Sequence, residues 1–166
     1  LVFALSFAPF FERSVFDKFF SSIKLYSSTF EFNASFYSLF KTIIYQFLGY
    51  NPIKILGPIM SFIGLAGLLF FLLRKKMKSP QVLFSALLFG LSWYYFFGMV
   101  VHPWYVVSLV FFSVFPQLRF ALLWSFLITL SYYAYSQAGF SESNWLLLVE
   151  YGLVIGVLVF ELFGNK

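Results

Sequence analysis

The sequence predicts an all-α, polytopic transmembrane helix bundle of about five spans plus interfacial helices, forming a fragment of a larger membrane protein. Three observations predict it. Of 166 residues, 61% are hydrophobic and 25% aromatic while only 10% are charged, against about 25% charged in an average soluble domain. The 11 Lys and Arg and the 6 Asp and Glu gather in clusters between long uncharged stretches. A helix needs about 20 apolar residues to cross the hydrocarbon core, so a chain of this length has room for several spans and none for a soluble catalytic domain.

Residues 1–166 read as a single transmembrane domain fragment. Residues 1–11 resemble the last half of an apolar span already under way at Leu1. No basic stretch precedes them and no small-residue cleavage site follows, which argues against a signal peptide. Residues 12–54 form an outer loop with interfacial helices and hold most of the polar groups. Within it, residues 14–26 put Phe16, Phe19, Phe20 and Ile23 on one helical stripe and leave Asp17, Lys18 and Lys24 off it, the pattern of a helix lying in the membrane interface. A second such helix is expected to start near Asn33, a cap-forming residue, to run through Phe36, Leu39, Phe40, Ile43, Ile44 and Phe47, and to stop at Gly49.

Residues 55–73 are uncharged and long enough to span, with Pro58 near the start and Gly57, Gly64 and Gly67 offering close-packing positions. Arg74, Lys75, Lys76 and Lys78 follow, and the positive-inside tendency puts that cluster in the cytoplasm. Residues 79–118 are 40 in a row without a formal charge, twice what one span requires, so the chain must turn. Val101-His102-Pro103-Trp104 is the turning point, where proline removes a backbone donor and His and Trp prefer a wet interface. Spans follow at 81–100 and 104–115, the second short for the hydrocarbon core. Residues 116–119 turn again, 120–136 span, 137–144 form a polar loop with Glu142, and 145–163 form the last span. Alternation then places 12–54, His102 and Glu142 outside and Arg119 inside.

The formal charge of +5 does not imply nucleic acid, because four of the eleven basic residues lie within 74–78, where topology explains them. Without cysteine there is no thiolate nucleophile, disulfide or Cys-based metal site. His102 is the single histidine, and a zinc site would need further ligands such as Glu31 or Glu142, so no metal and no cofactor are expected. No Walker loop, His-Glu-x-x-His helix or nucleophile elbow occurs.

The residues left to carry chemistry are few. Glu31, Asn33 and Ser35 put a carboxylate, an amide and a hydroxyl in a short aromatic-flanked segment that could meet a sugar or an isoprenoid. Its plainer reading is a helix start, with Asn33 as cap and Glu31 favouring the helix dipole. Asn33-Ala34-Ser35 also matches the glycosylation triplet. His102 could donate a hydrogen bond to a phosphate or sugar, or simply sit in an interfacial turn. Lys24 and Lys41, with Lys18, could hold a lipid phosphate or merely snorkel. Glu150, a carboxylate inside the last span, is expected to face the bundle, either toward substrate or in a structural bond to Ser or Tyr. Glu161, near the other end of that span, is assigned no role.

Two stretches carry a resemblance. FEFNASFYSLF at 30–40, followed by Gly49-Tyr50-Asn51, and VHPWYVVSLVFFSVFP at 101–116 resemble the C-terminal half of bacterial integral-membrane glycosyltransferases of the GT-C type, the polyprenol-phosphate-sugar users often labelled mannosyltransferases. In such enzymes a His-Pro-Trp-Tyr element closes an outer loop and opens a late span ending in proline, matched by His102, Pro103, Trp104, Tyr105 and Pro116. The resemblance covers about residues 11–163. It implies a multi-pass inner-membrane (plasma-membrane) transferase of the cell envelope, moving a sugar from a polyprenyl-phosphate donor to a lipid-linked or glycan acceptor on the extracytoplasmic face. The family's catalytic acid sits on an early outer loop, so it is expected upstream of Leu1. The present residues would form the donor-side wall, with Glu31, Asn33, His102, Trp104, Tyr105, Lys24, Lys41 and Glu150 as substrate-binding positions. The alternative is a non-catalytic polytopic protein such as a lipid or solute transporter module. An O-antigen polymerase or ligase-like transferase would be expected to carry an Arg-rich outer loop, and Arg13 is the one arginine on that side.

Overall fold

The computed structural model describes residues 6, 10, 12–74, 79–136 and 139–164. Seven α-helices follow one another in this region: α1 Arg13–Thr29, α2 Ser35–Leu48, α3 Ile53–Arg74, α4 Pro80–Phe97, α5 Pro103–Ser113, α6 Phe120–Leu127 and α7 Asn144–Phe163. The α6 helix runs directly into a 3-10 helix, Ile128–Tyr135. Among the described residues the one β feature is an isolated parallel bridge between Phe32 and Val100. The chain is therefore an all-α bundle.

Local sequence explains the helix ends. Ser79 caps α4, its hydroxyl accepting the Val82 N–H at 3.4 Å with Pro80 at the first helical position. Ser143 caps α7 in the same way, through the Leu146 N–H. Gly49 ends α2 in the left-handed region at φ 71°, and its N–H returns to the Tyr45 carbonyl. The α1 stripe of Phe16, Phe19, Phe20 and Ile23 is exposed, as an interfacial helix requires.

The span count differs from the expected five. Three described helices are long and apolar enough to cross a membrane, Ile53–Leu73, Pro80–Phe97 and Asn144–Phe163, which makes this a membrane protein. The region expected to span at 104–115 forms the 11-residue α5, roughly 16 Å long. Its end is a turn in which Leu118 N–H reaches the Ser113 carbonyl and Gln117 adopts φ 58°. The region at 120–136 is α-helical only to Leu127. Beyond it Thr129, Ser131 and Ser136 each return a hydroxyl to the carbonyl three residues back, as Ser108, Ser113 and Ser125 also do within α5 and α6. Residues 75–78 and most of 1–11, on which the basic cluster and the partial first span depend, lie outside the described residues.

The core lies between α4, α5, α6 and α7 and is built from Leu88, Phe96, Leu109, Trp124, Tyr151 and Val154 among others. Trp124 stacks on Phe96 with ring centroids 4.9 Å apart and planes 9° from parallel. The α3–α4 hairpin closes where Gly67 leaves room for the Trp93 indole: a Cβ at that position would lie 2.0 Å from Trp93 Nε1. That nitrogen donates instead to the Ile63 carbonyl at 3.1 Å. At one end of the bundle Glu161 of α7 accepts the backbone N–H groups of Arg119 and Phe120 at 2.7 and 3.0 Å. A carboxylate from another helix thus caps α6, since Arg119 makes no side-chain cap bond.

Candidate functional site

The opposite end of α7 holds a polar knot built around residues 31–34. Phe32 threads this segment between helices by pairing with the α4–α5 connection, donating to the Met99 carbonyl at 2.9 Å and accepting the Val101 N–H at 2.8 Å. The next residue, Asn33, turns the chain at φ 51°, a left-handed conformation that asparagine tolerates better than most side chains. Asn33 is 1% exposed, and three of its polar groups are engaged. Its N–H donates to Glu142 Oε1 at 2.5 Å, Nδ2 donates to Glu150 Oε1 at 3.0 Å, and its carbonyl accepts the Tyr151 hydroxyl at 2.7 Å. Trp124 Nε1 donates to the same Glu150 oxygen at 2.9 Å.

This geometry corrects two expectations. Asn33 is not a helix cap, because Ala34 occupies that position without a side-chain bond, and its amide, buried against Glu150, is not free to act as a glycan acceptor. Glu150 faces the bundle as expected and is 1% exposed, but its partners are Asn33 and Trp124 rather than Ser or Tyr. The void it shares with Asn33 and Glu142 measures ≈ 10 Å³, about one water in size. Both residues hold the fold together through these bonds.

Beside the knot, Lys41 of α2 forms a partly exposed ion pair with Glu31, which leaves further N–H donors on its ammonium. Glu31, Tyr37, Ser38, Lys41, Glu142 and Asn144 line a polar cavity of ≈ 210 Å³. Burial, reinforced by the Glu31 carboxylate, pushes the Tyr37 phenol well above its usual range, and the group stays a neutral donor. Burial also raises the Glu142 carboxyl, against the opposing pull of the Asn33 N–H.

His102 stands at the start of α5, just before Pro103. Its ring stacks on Trp104 with centroids 4.3 Å apart and planes within 10°, lies 5.0 Å from Phe32 and 6.3 Å from Phe30, and meets Tyr105 edge-on at 5.4 Å. Burial lowers its pKa, which favours a neutral imidazole. Trp104 remains 59% exposed. The structure therefore brings Glu31, Asn33, Lys41, His102, Trp104, Tyr105 and Glu150 to one end of the bundle. Lys24 is on α1, which packs against α3, and its side chain lies outside the described residues.

Sequence reasoning gave no role to Glu142 in the knot, to Tyr37, Tyr151 and Trp124, or to Glu161. For Glu142 a signal existed: a carboxylate directly before a capping serine and an apolar run is well placed to meet stray backbone donors. The others carry no local signal. Among the described residues no group of three His, Cys, Asp or Glu is arranged to hold a metal ion.

Fold and knot together define a helical membrane protein with a polar cluster at one end. Compared with protein families, with characterised proteins and with solved structures, the chain matches none.

Proposed function

We propose that this chain is part of a multi-pass, inner-membrane glycosyltransferase that moves a sugar, mannose among the choices, from a polyprenyl-phosphate donor to a lipid-linked or glycan acceptor at the extracytoplasmic face. One observation carries the reading. His102, Trp104 and Tyr105, the residues of the His-Pro-Trp-Tyr element, gather with Phe30 and Phe32 into an aromatic corner at the same end as Glu31 and the polar cavity. Exposed ring faces suit the apolar faces of a sugar, and a neutral imidazole both donates and accepts hydrogen bonds. The chain then supplies the donor-side wall, and the general base is not assigned to any residue of the knot.

A second reading is a lipid or solute transporter module without catalysis, in which the partly exposed Glu31–Lys41 pair serves as a structural contact. The test is sugar transfer by the complete protein. His102→Ala and Glu31→Gln are expected to lower transfer about tenfold or more, the scale of one lost hydrogen bond to a charged or polar ligand group, with melting temperatures close to the parent. Full transfer by both variants would sink the transferase reading, and lipid or solute flux without sugar transfer would establish the second.

A further inference from the structure

Glu142 lines two polar spaces at once. One is the cavity of ≈ 210 Å³ that it shares with Glu31, Tyr37, Ser38 and Lys41. The other is the void of ≈ 10 Å³ that it shares with Asn33, Ser131, Ser143 and Glu150. Each of the two carboxyl groups has an oxygen to spare. Glu142 Oε1 accepts the Asn33 N–H, and Glu150 Oε1 accepts both Asn33 Nδ2 and Trp124 Nε1, while among the described residues no donor reaches either Oε2. Glu31 Oε2 is sealed without a partner, whereas the second oxygen of Glu150 borders the void.

A space of this size holds one water, provided that about two to four polar groups receive it. The void supplies them. Besides the carboxyl oxygens of Glu142 and Glu150, the Ser131 hydroxyl donates to the Ile128 carbonyl and can still accept, and the Ser143 hydroxyl accepts the Leu146 N–H and can still donate. A water seated there completes a chain of oxygens from the cavity, through Glu142, to Glu150.

The charges around this chain have one sign where it ends. Lys41 and Glu31 act on Glu142 from the cavity side, as a pair. Tyr151 turns its hydroxyl to the Asn33 carbonyl, Trp124 contributes an indole and Tyr133 a phenol, so among the described residues no cation lines the void. Two ionised carboxyls on one small water-sized space repel each other, and taking up a proton relieves that repulsion. We propose that Glu150 is a proton-binding site, loaded from the polar cavity through Glu142 and one water in the void. A hydronium ion in the cavity gives its proton to Glu142 and leaves as water; Glu142 passes a proton to the bridging water, which gives one of its own to Glu150 Oε2. Glu142 and the bridging water end as they began, and Glu150 gains one proton. The site goes beyond the transferase reading and does not require it.

A wider opening between the 3-10 helix and α7, lined by Thr129, Tyr133, Ser143, Trp145 and Leu146, also adjoins the void but contributes no carboxyl to it. The experiment therefore has to tell the two routes apart. The complete protein in phosphatidylcholine nanodiscs is followed by infrared spectroscopy at the carbonyl stretch of protonated carboxylic acids, on transfer from H2O to D2O at neutral pH. The parent shows the band. Glu150→Gln, which keeps a carbonyl oxygen for Asn33 and Trp124, removes it, and Glu161→Gln at the far end of α7 leaves it. In Glu142→Gln the amide still accepts the Asn33 N–H but does not relay protons as a carboxyl does. The band persists there, and its deuterium shift slows about a hundredfold, the low end of what a positioned proton-transfer group contributes.

No band in the parent, or one that survives Glu150→Gln, overturns the proposal. An unchanged deuterium shift in Glu142→Gln overturns it too, since the proton would then arrive past Thr129 and Trp145. So does loss of the band when sodium replaces choline in the buffer, which would make the void a cation site. The shift in Glu142→Gln is measured on its own, so a Glu150 variant that fails to fold leaves the test standing. The band is read without turnover, and a His102→Ala protein that transfers no sugar yet keeps it separates failure of the two readings.

Discussion

Asn33 and Glu150 stand 117 residues apart in the chain and meet at 3.0 Å, the amide Nδ2 donating to a carboxylate oxygen that also receives the Trp124 indole. This contact ties the extended segment before α2 to the interior of α7 and α6. It explains why a carboxyl group can sit 1% exposed in an apolar bundle: buried polar oxygens are tolerated in low dielectric where donors meet them.

Removing either side of this contact is expected to cost more than an ordinary surface change. Glu150→Leu leaves Asn33 Nδ2 and Trp124 Nε1 buried without an acceptor and should destabilise the protein by about 2–4 kcal/mol. Glu150→Gln keeps a carbonyl oxygen in the same position and should cost clearly less. Asn33→Gly preserves the left-handed turn while deleting the amide, which separates the side-chain effect from the backbone one. Thermal unfolding of the purified protein in detergent checks the order, and a Glu150→Leu protein as stable as the parent would refute the role assigned to the knot.

Glu161 offers a second, independent test at the other end of α7. Its two oxygens accept the first N–H groups of α6. Glu161→Ala should therefore cost about 1–2 kcal/mol, the value of a lost helix cap. Hydrogen exchange at Arg119 and Phe120 should accelerate in this variant while exchange at Asn33 stays unchanged; equal protection at all three would contradict the cap.

The pH dependence of stability has a definite sign at two groups. Burial lowers the His102 pKa below its ordinary 6.5, so the unfolded chain takes up a proton first. Its contribution is complete above 6.5 and is lost as pH falls through that value toward the lower folded one. Burial raises the Glu142 pKa above its ordinary 4.5, so here stability is complete below 4.5 and is lost as pH rises through the folded value. Melting temperatures measured from about pH 4 to 8 should show a smaller acid-side decline in His102→Gln and a smaller decline with rising pH in Glu142→Gln than in the parent. Profiles of identical shape in all three proteins would rule out both assignments.

Much of the scaffold was legible residue by residue. The stripe of Phe16, Phe19, Phe20 and Ile23, the stop at Gly49, the close packing at Gly67 and the long apolar helices before Arg74 and after Asn144 all follow from local composition and helical period. The count of spans was not, because an apolar run has the same composition whether it forms one long helix or a short helix, a turn and a 3-10 stretch. The left-handed Gln117 and the change from α to 3-10 geometry after Leu127 mark that outcome.

The candidate site divides in the same way. That Glu31, Asn33, His102 and Glu142 belong to one end could be read from the alternation of apolar runs, and the structure joins them there. Which of them is buried and engaged, and which faces a cavity, could not. Asn33 looked like a helix cap because its own neighbours permit it, yet Glu142 and Glu150 claim it from more than a hundred residues away. That Lys41 would pair with Glu31 was likewise decided by folding.

By itself, then, the sequence determined that this chain lives in lipid, that it is helical, and where most helices begin and end, because hydrophobicity, helical period and capping act over a few neighbouring residues. The tertiary structure alone decided the partners of its few polar groups. In a bundle this apolar each buried donor needs an acceptor, and the nearest one is set by helix packing rather than by distance along the chain.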